Sequence, residues 1–511
     1  MTAGQVLLVA VLAVPLLGAA VAVALPDRAG RLAATAFAGV AFVASAALWW
    51  GRDGVGWFRY GADAGRPAVQ PWHEVDAPWV PGLDLRLHLG VDGISYPLVV
   101  LTALLTLLCC AYTVWHAPAG GPGRTLAALL LVVEAGILGT FLALDLVLFF
   151  VFFEVVLLPM YAVIAGWGGA GRRHAARKFA LYTLLGSVLL LVGVFTVVAA
   201  AGTADLVELT GGGGLSRGTQ LAAFTLFAVA FAVKSPLWPL HTWLPDAHTQ
   251  APTVGSVLLA GVLLKMGTYG LIRVAVGVAP LGAREAAPVL GVLAVAAIVV
   301  GSLVCLAQTE IKRLIAYSSV GHMGFVLLGI ATLTATGISA ALIGNVAHGV
   351  ITGLLFFLAG AVKDRYGTGE LADLGGLRER APALSGLLGY AALASLGLPG
   401  LAGFWGEAFA VVAALERGGP LWTALAVTAA VGGALTAAYL LRLLRRVTHG
   451  PPGPAVARPP GVGPRGVGSL AWPEVVAWAP LVLLALLLGL APALVLGIAG
   501  DPVAALLGTD S

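Results

Sequence analysis

The stretch AVKSPLWPLHTWLPDAH, residues 232–248, carries an apolar run into Lys234 and then interrupts it with Pro236 and Pro239. Thirteen apolar or small residues, Leu221 to Val233, precede the lysine. Proline removes a backbone donor and clashes with the preceding turn, so a helix carrying Lys234 must break beside it. The stretch reads as an interrupted membrane helix with an ionisable group at the interruption.

Composition supports that setting. Of 511 residues, 59% are hydrophobic and 10% charged, with a mean hydropathy of +0.98; soluble chains carry about 25% charged residues. An integral membrane protein of many spans is expected. The pI near 9.0 comes from basic residues scattered over short loops, with no polybasic run or aromatic–basic patch, so no nucleic-acid partner is expected. The three cysteines lie in apolar runs without a CxxC, against both a disulfide framework and iron–sulfur ligation. Gly211–Gly214 lack the strand–turn–helix setting of a nucleotide loop.

Runs long enough to cross a bilayer fall at 5–25, 32–50, 94–115, 125–143, 146–166, 179–201, 220–240, 253–274, 287–308, 313–333, 336–361, 383–414, 421–446 and 474–499. This predicts an all-α polytopic protein of about fourteen helices. The first run has no basic leader and is read as a span, not a signal peptide. Eighteen of the 28 Lys and Arg residues border loops after odd-numbered runs, and eight, including Arg273 and Arg284, border the opposite loops. The positive-inside rule then puts both termini on the non-cytoplasmic side. In the long loop after the second run, LDLRLHLGVDGIS (83–95) alternates as a strand would, and 450–466 reads as a Pro/Gly linker. The break at Pro236 and Pro239 is echoed in the twelfth run by GLPGLAGFWGE, 397–407. Two interrupted helices in corresponding halves predict an inverted-repeat transporter with its site at the breaks.

Six ionisable residues sit inside the runs: Glu154, Lys234, Lys265, His322, His348 and Glu407. A charge at a span's centre costs about 2.5–3.5 kcal/mol, so the two lysines and two glutamates would cost on the order of 10 kcal/mol facing lipid. They must face the interior, pair or meet water. Only five of the 28 basic residues are lysines, yet both deep ones are. Arginine holds its proton in proteins, whereas buried lysine releases it readily, so proton exchange favours lysine. Plainer readings compete: a structural ion pair between Glu154 and Lys234, or an interior hydrogen-bonding role for His348. His241 and His248 suit an interfacial role as well as a functional one, and they lack an evident third ligand for a metal. Glu134 and Asp145 are read as interfacial or satisfied in the core.

VKSPLWPLHTWLPDAHTQAPTVGSVLLAGVLLKMGTYGLIR (233–273), IKRLIAYSSVGHMGF (311–325) and LGVDGIS (89–95) together resemble the signature of the antiporter-like membrane subunits of respiratory complex I, the proton-pumping NADH–quinone oxidoreductase. Glu407 stands where the L and N chains of that family typically place lysine, so the sequence is most similar to the M chains; no long C-terminal extension of the L type is expected. Gln250 replaces the usual glutamate of HTEAPT, and FWGEAF replaces the commoner FVGEF.

The resemblance implies two inverted five-helix repeats, 124–276 and 286–447, flanked by N-terminal helices over 1–123 and by a linker and last helix over 448–511. It implies that Glu154 pairs with Lys234, that Lys265, His322 and His348 relay protons along the midplane, and that Glu407 is the exit-side carrier. It also implies a bacterial inner-membrane location and membrane-arm partners, especially the L and N chains. No cofactor is expected on this chain; NADH, FMN, iron–sulfur clusters and quinone belong to other subunits. The alternatives are a multi-chain cation/proton antiporter subunit, a scaffold whose buried charges only lock helices, and, third, an organic-solute transporter.

Overall fold

A computed structural model describes residues 2–50, 71–80, 82, 85–457 and 470–508. Much of the loop after the second run, Leu83 and Asp84 of the expected strand, and most of the 450–466 linker lie outside the described residues.

Helices dominate. They are α1 (Ala3–Ala24), α2 (Asp27–Ala47), α3 (Tyr96–Trp115), α4 (Gly123–Leu142), α5 (Leu146–Trp167) and α6 (Arg172–Ala201), then α7a (Arg217–Lys234) and α7b (Trp243–Gln250). There follow α8 (Thr253–Val276), α9 (Pro280–Ala307), α10 (Ile311–Thr332), α11 (Ala335–Tyr366), α12a (Pro382–Ser395), α12b (Gly403–Arg417), α13 (Gly419–Thr448), α14 (Trp472–Leu490) and α15 (Ala493–Leu507). Among the described residues, twelve helices are long and apolar enough to cross a membrane. The seventh and twelfth runs are missing from that set because each is broken, as the prolines and glycines predict.

Both breaks are repaired from outside the helix, as backbone in a membrane requires. At the first, Trp243 Nε1 donates to the Val233 carbonyl at 3.0 Å, while Lys178 pairs with Asp246 at 2.6 Å and holds α7b against α6. At the second, the Ala402 amide donates to the Ala485 carbonyl of α14 at 2.9 Å, and Trp405 Nε1 donates to that of Gly489 at 2.8 Å. α5 is also interrupted, at Val156. Pro159 lacks the N–H that would bond the Val155 carbonyl, so the interruption falls two residues after Glu154. Within α8, Leu259–Leu263 and Leu271–Val276 are π-helical and flank Lys265. Such segments recur at functional sites; residue composition offers no signal for them here.

Four positions differ from the sequence expectation. The last run does not continue to 499; the chain turns at Ala491–Pro492 and starts α15. α9 begins at Pro280, a favoured first residue, which moves Arg284 into a helix. Arg273 is not in a loop: it is 1% exposed within α8, with its guanidinium on the Asp92 carboxylate. Asp92 Oδ1 meanwhile accepts from the amides of Ile94 and Ser95, each at 3.0 Å, which accounts for the DGIS turn. Glu134 is neither interfacial nor satisfied: it is 0% exposed and neither carboxylate oxygen has a partner among the described residues.

The expected strand is β2 (Leu85–Val91), antiparallel to β1 (His73–Val80), whose shorter alternation the sequence reading missed. His88 bolts this hairpin down. Its Nε2 lies 2.6 Å from Glu74 and its Nδ1 lies 3.1 Å from Asp205. Burial opposes the imidazolium, but the Asp205 and Glu74 carboxylates outweigh it and lift the pKa to about 9. With an unfolded value near ~6.5, the contribution is full below that pH and lost as pH rises through about 9. Half-exposed Glu74 limits the effect to roughly 1–2 kcal/mol. Melting temperature against pH is the check: wild type should lose stability across that window, while His88→Gln starts lower and stays flat.

Two isolated β-bridges tie loops at opposite ends of the bundle, counting passes. Asp145 pairs with Asp205, joining the α4–α5 and α6–α7a connections; Glu310 pairs with Glu370, joining α9–α10 and α11–α12a. Asp145 and Glu310 also cap the helices that follow them, accepting from the Leu148 and Arg313 amides.

Candidate functional site

Four of the six singled-out residues form one row. Lys265 is 0% exposed; its Nζ donates to the Ala260 carbonyl in the π-helical turn below it and lies 2.6 Å from His348 Nδ1. An ammonium only donates, so with Lys265 charged His348 Nδ1 accepts and its ring proton sits on Nε2. Nε2 has no partner among the described residues, and the ring centroid stands 5.9 Å from that of His322. His322 Nδ1 lies 2.6 Å from Glu407 Oε1, and its Nε2 lies 2.9 Å from Ser395 Oγ.

Glycines allow these approaches. A Cβ on Gly349 would meet the Gly261 carbonyl at 2.6 Å, so α8 and α11 touch backbone to backbone and bring Lys265 to His348. A Cβ on Gly406 would meet the Gly344 Cα at 2.6 Å, so α12b closes on α11 and delivers Glu407 to His322. Small residues at helix crossings do this throughout membrane proteins. A cavity lies along the row, lined by His322, His348, Thr352, Ser395 and Glu407 with glycine and apolar residues between them.

The other two stand apart from this row. Lys234, 2% exposed at the end of α7a, has its ammonium 4.6 Å from the Phe153 ring centroid and no hydrogen-bond partner among the described residues. Glu154 accepts from Ser187 Oγ. Among the described residues no hydrogen bond or ion pair joins Glu154 to Lys234, so any action of one on the other is through space. His248 is fully buried, stacked on Phe356 at 4.6 Å, and neither ring nitrogen has a partner among the described residues.

Gln250 works as a clasp. Its Oε1 accepts from the Gly171 amide and its main-chain carbonyl from the Gly169 amide, each at 2.8 Å, so the α7b–α8 turn is tied to the α5–α6 loop. Glutamate could accept in the same way; the amide does so without a charge. Ser395 and the glycine crossings were not picked out from the sequence, because hydroxyls and glycines are common in apolar helices.

Chemically, the row can exchange protons without moving. His322 Nδ1 donates to a carboxylate, and Ser395 can donate to Nε2 of neutral His322 or accept from its cation. Both protonation states are therefore hydrogen-bonded in one geometry.

The chain, as a whole, is similar to known proteins. The family described as NADH:quinone oxidoreductase/Mrp antiporter, TM, matches residues 143–433. NADH-quinone oxidoreductase subunit M of Rhodobacter capsulatus is 42% identical over 456 residues, 87% of this chain and 86% of that one. Among solved structures, respiratory complex I from Thermus thermophilus with bound NADH contains a chain with TM-score 0.84 and 32% identity, covering 98% of this chain and 100% of that one. The Mrp complex from Dietzia sp. contains another with TM-score 0.84 and 26% identity, covering 99% and 98%.

Proposed function

The chain belongs to the NADH:quinone oxidoreductase/Mrp antiporter membrane family, and from that premise we propose that it is a proton-translocating M-type subunit of NADH–quinone oxidoreductase. The observation that carries this reading is the row of buried Lys265, His348 and His322 ending on partly buried Glu407, linked by contacts of 2.6 Å at each end. Lys234 at the broken helix stands beyond it.

Lys265, as ammonium, passes a proton to His348 Nδ1, and His348 releases one from Nε2. The proton crosses the cavity to Ser395, whose hydroxyl protonates His322 Nε2 while taking the incoming proton. His322 then releases its Nδ1 proton to Glu407. Only N–H and O–H bonds break and form; no bond between heavy atoms changes. Charge on Glu154 biases Lys234 through space, and the break beside Lys234 opens backbone and water to it. Quinone reduction elsewhere in the complex drives the cycle; NADH, FMN and iron–sulfur clusters belong to other subunits, and the L and N chains are the neighbours in the membrane arm. The paired bridges at Asp145–Asp205 and Glu310–Glu370, on opposite ends, support reading 124–276 and 286–447 as inverted repeats. The basic loops support a bacterial inner-membrane orientation with both termini on the non-cytoplasmic side.

A second reading, a cation/proton antiporter subunit, is favoured by the likeness to the Mrp complex. The 42% identity to a quinone oxidoreductase subunit favours the first.

Lys234→Ala tests the proposal. The assembled complex should lose most proton pumping and coupled quinone reduction in proteoliposomes, and Glu154→Ala should behave similarly. Glu154→Asp and Glu154→Gln separate charge from hydrogen bonding to Ser187. Full pumping by assembled Lys234→Ala complex would overturn the reading.

A further inference from the structure

The end of the bundle that carries most of the basic loops holds another cavity, of about 470 Å³. That volume lies within the range of small-ligand sites, about 300–1,000 Å³. The cavity lies between the end of α3, the α5–α6 loop, the α7b–α8 turn, the start of α10 and the end of α11, and it shares no lining residue with the cavity along the row. Lys312 and Lys363 line it. Lys312 is 4% exposed, and among the described residues its ammonium makes a single long hydrogen bond, 3.4 Å to the Ala251 carbonyl. An ammonium carries three donors, so most of that capacity is unspent. Lys178 forms an ion pair with Asp246, whereas Lys312 and Lys363 form none among the described residues. Asp364 lines the same cavity, while Glu310 lies outside the lining and caps the Arg313 amide. α8 starts at Thr253 with no side chain capping it, and Thr253 and Val254 are part of the wall, so the positive end of that helix adds to the lysines.

Two ammonium groups against one carboxylate leave this lining with a single uncompensated positive charge. A phosphate monoester, at about −1.5 to −2, would overshoot it; a phosphodiester carries one negative charge and matches it. Trp115, 51% exposed, and Trp167 stand in the same wall. Tryptophan favours the headgroup level of a bilayer, and basic pockets between membrane helices suit lipid head groups. We propose that this cavity binds the headgroup of a phospholipid with one net negative charge, of the phosphatidylglycerol type. The phosphodiester oxygens accept from Lys312 and Lys363, and the glycerol end lies against Trp115 and Trp167. The bound headgroup ties the start of α8 to the start of α10 and the end of α11. No proton transfer is involved, so the site stands whichever transport reading holds.

The test places the whole complex in phosphatidylcholine vesicles doped with phosphatidylglycerol that carries a photoreactive group on its headgroup glycerol. After illumination, labelling is mapped to the peptides holding residues 115–119 and 167–169. Wild type should label there, and phosphatidylcholine bearing the same group should label several-fold less. Lys363→Gln should cut labelling about fivefold, the scale of one basic group at an anionic surface. Lys312→Gln should cut it roughly tenfold or more, as a buried charge-assisted hydrogen bond is lost. Lys363→Arg should keep it. Lys363 is exposed, so its variants leave the packing intact and decide the matter even if Lys312→Gln fails to assemble. Glycerophosphoglycerol, the same diester without acyl chains, should not displace the lipid probe; displacement as ready as by phosphatidylglycerol would overturn the lipid assignment. Equal labelling by the two lipid probes, or unchanged labelling of Lys363→Gln, would overturn the site.

Discussion

Complex carrying Lys265→Leu will assemble and will lose coupled turnover by at least about tenfold. Leucine keeps the apolar volume of α8 and removes the cost of burying an amine. It leaves His348 Nδ1 and the Ala260 carbonyl without their donor, a local penalty of about 1–3 kcal/mol, spread over a subunit whose α8 is buried along its whole length. Assembly therefore survives. Transport does not under the proposed relay, in which Lys265 gives the proton that enters the row, because leucine cannot hold one. NADH-driven quinone reduction in sealed vesicles, compared at matched subunit content, is the check. A rate equal to wild type would make the Lys265–His348 contact purely structural.

Glu407→Gln should be the second most damaging change in the row, and Glu407→Lys should be milder. Glutamine keeps the shape and can still accept from His322 Nδ1, whose present distance to Glu407 is 2.6 Å. It cannot take up the proton, so transfer stops at His322. Lysine reverses the charge but titrates, and a neutral amine can accept from the imidazole as the carboxylate does; the resemblance to L and N chains, which place lysine here, points the same way. Pumping should fall roughly tenfold or more for Gln, on the scale of a lost acid–base group, and less for Lys. Gln performing like wild type would reduce Glu407 to a hydrogen-bonding residue.

These residues could be found from the sequence because a charge in an apolar run is costly and stands out against its neighbours. Lys234 with Pro236 and Pro239, and Glu407 after GLPGLAG, revealed both broken helices for the same reason. Their contacts were not legible. That His348 meets Lys265 and His322 meets Glu407 depends on Gly261 against Gly349 and Gly344 against Gly406, pairs far apart in a chain with 69 glycines. Arg273 was misplaced because it closes an apolar run, where a solvated loop position and a buried partner such as Asp92 look alike. Glu134 was misread because burial without a partner leaves no local mark. The turn at Pro492 was hidden by apolar residues on both sides, and the π-helical turns around Lys265 change hydrogen bonding without changing composition.

The central claim is that protons pass through the interior of this subunit. Its most direct test is the number of protons delivered per NADH oxidised by the Lys265→Leu complex in sealed proteoliposomes, with electron transfer and proton movement recorded in the same sample. The account predicts that whatever electron transfer remains moves fewer protons per NADH than wild type, with passive proton permeability unchanged. An unchanged ratio in a fully assembled complex would contradict it.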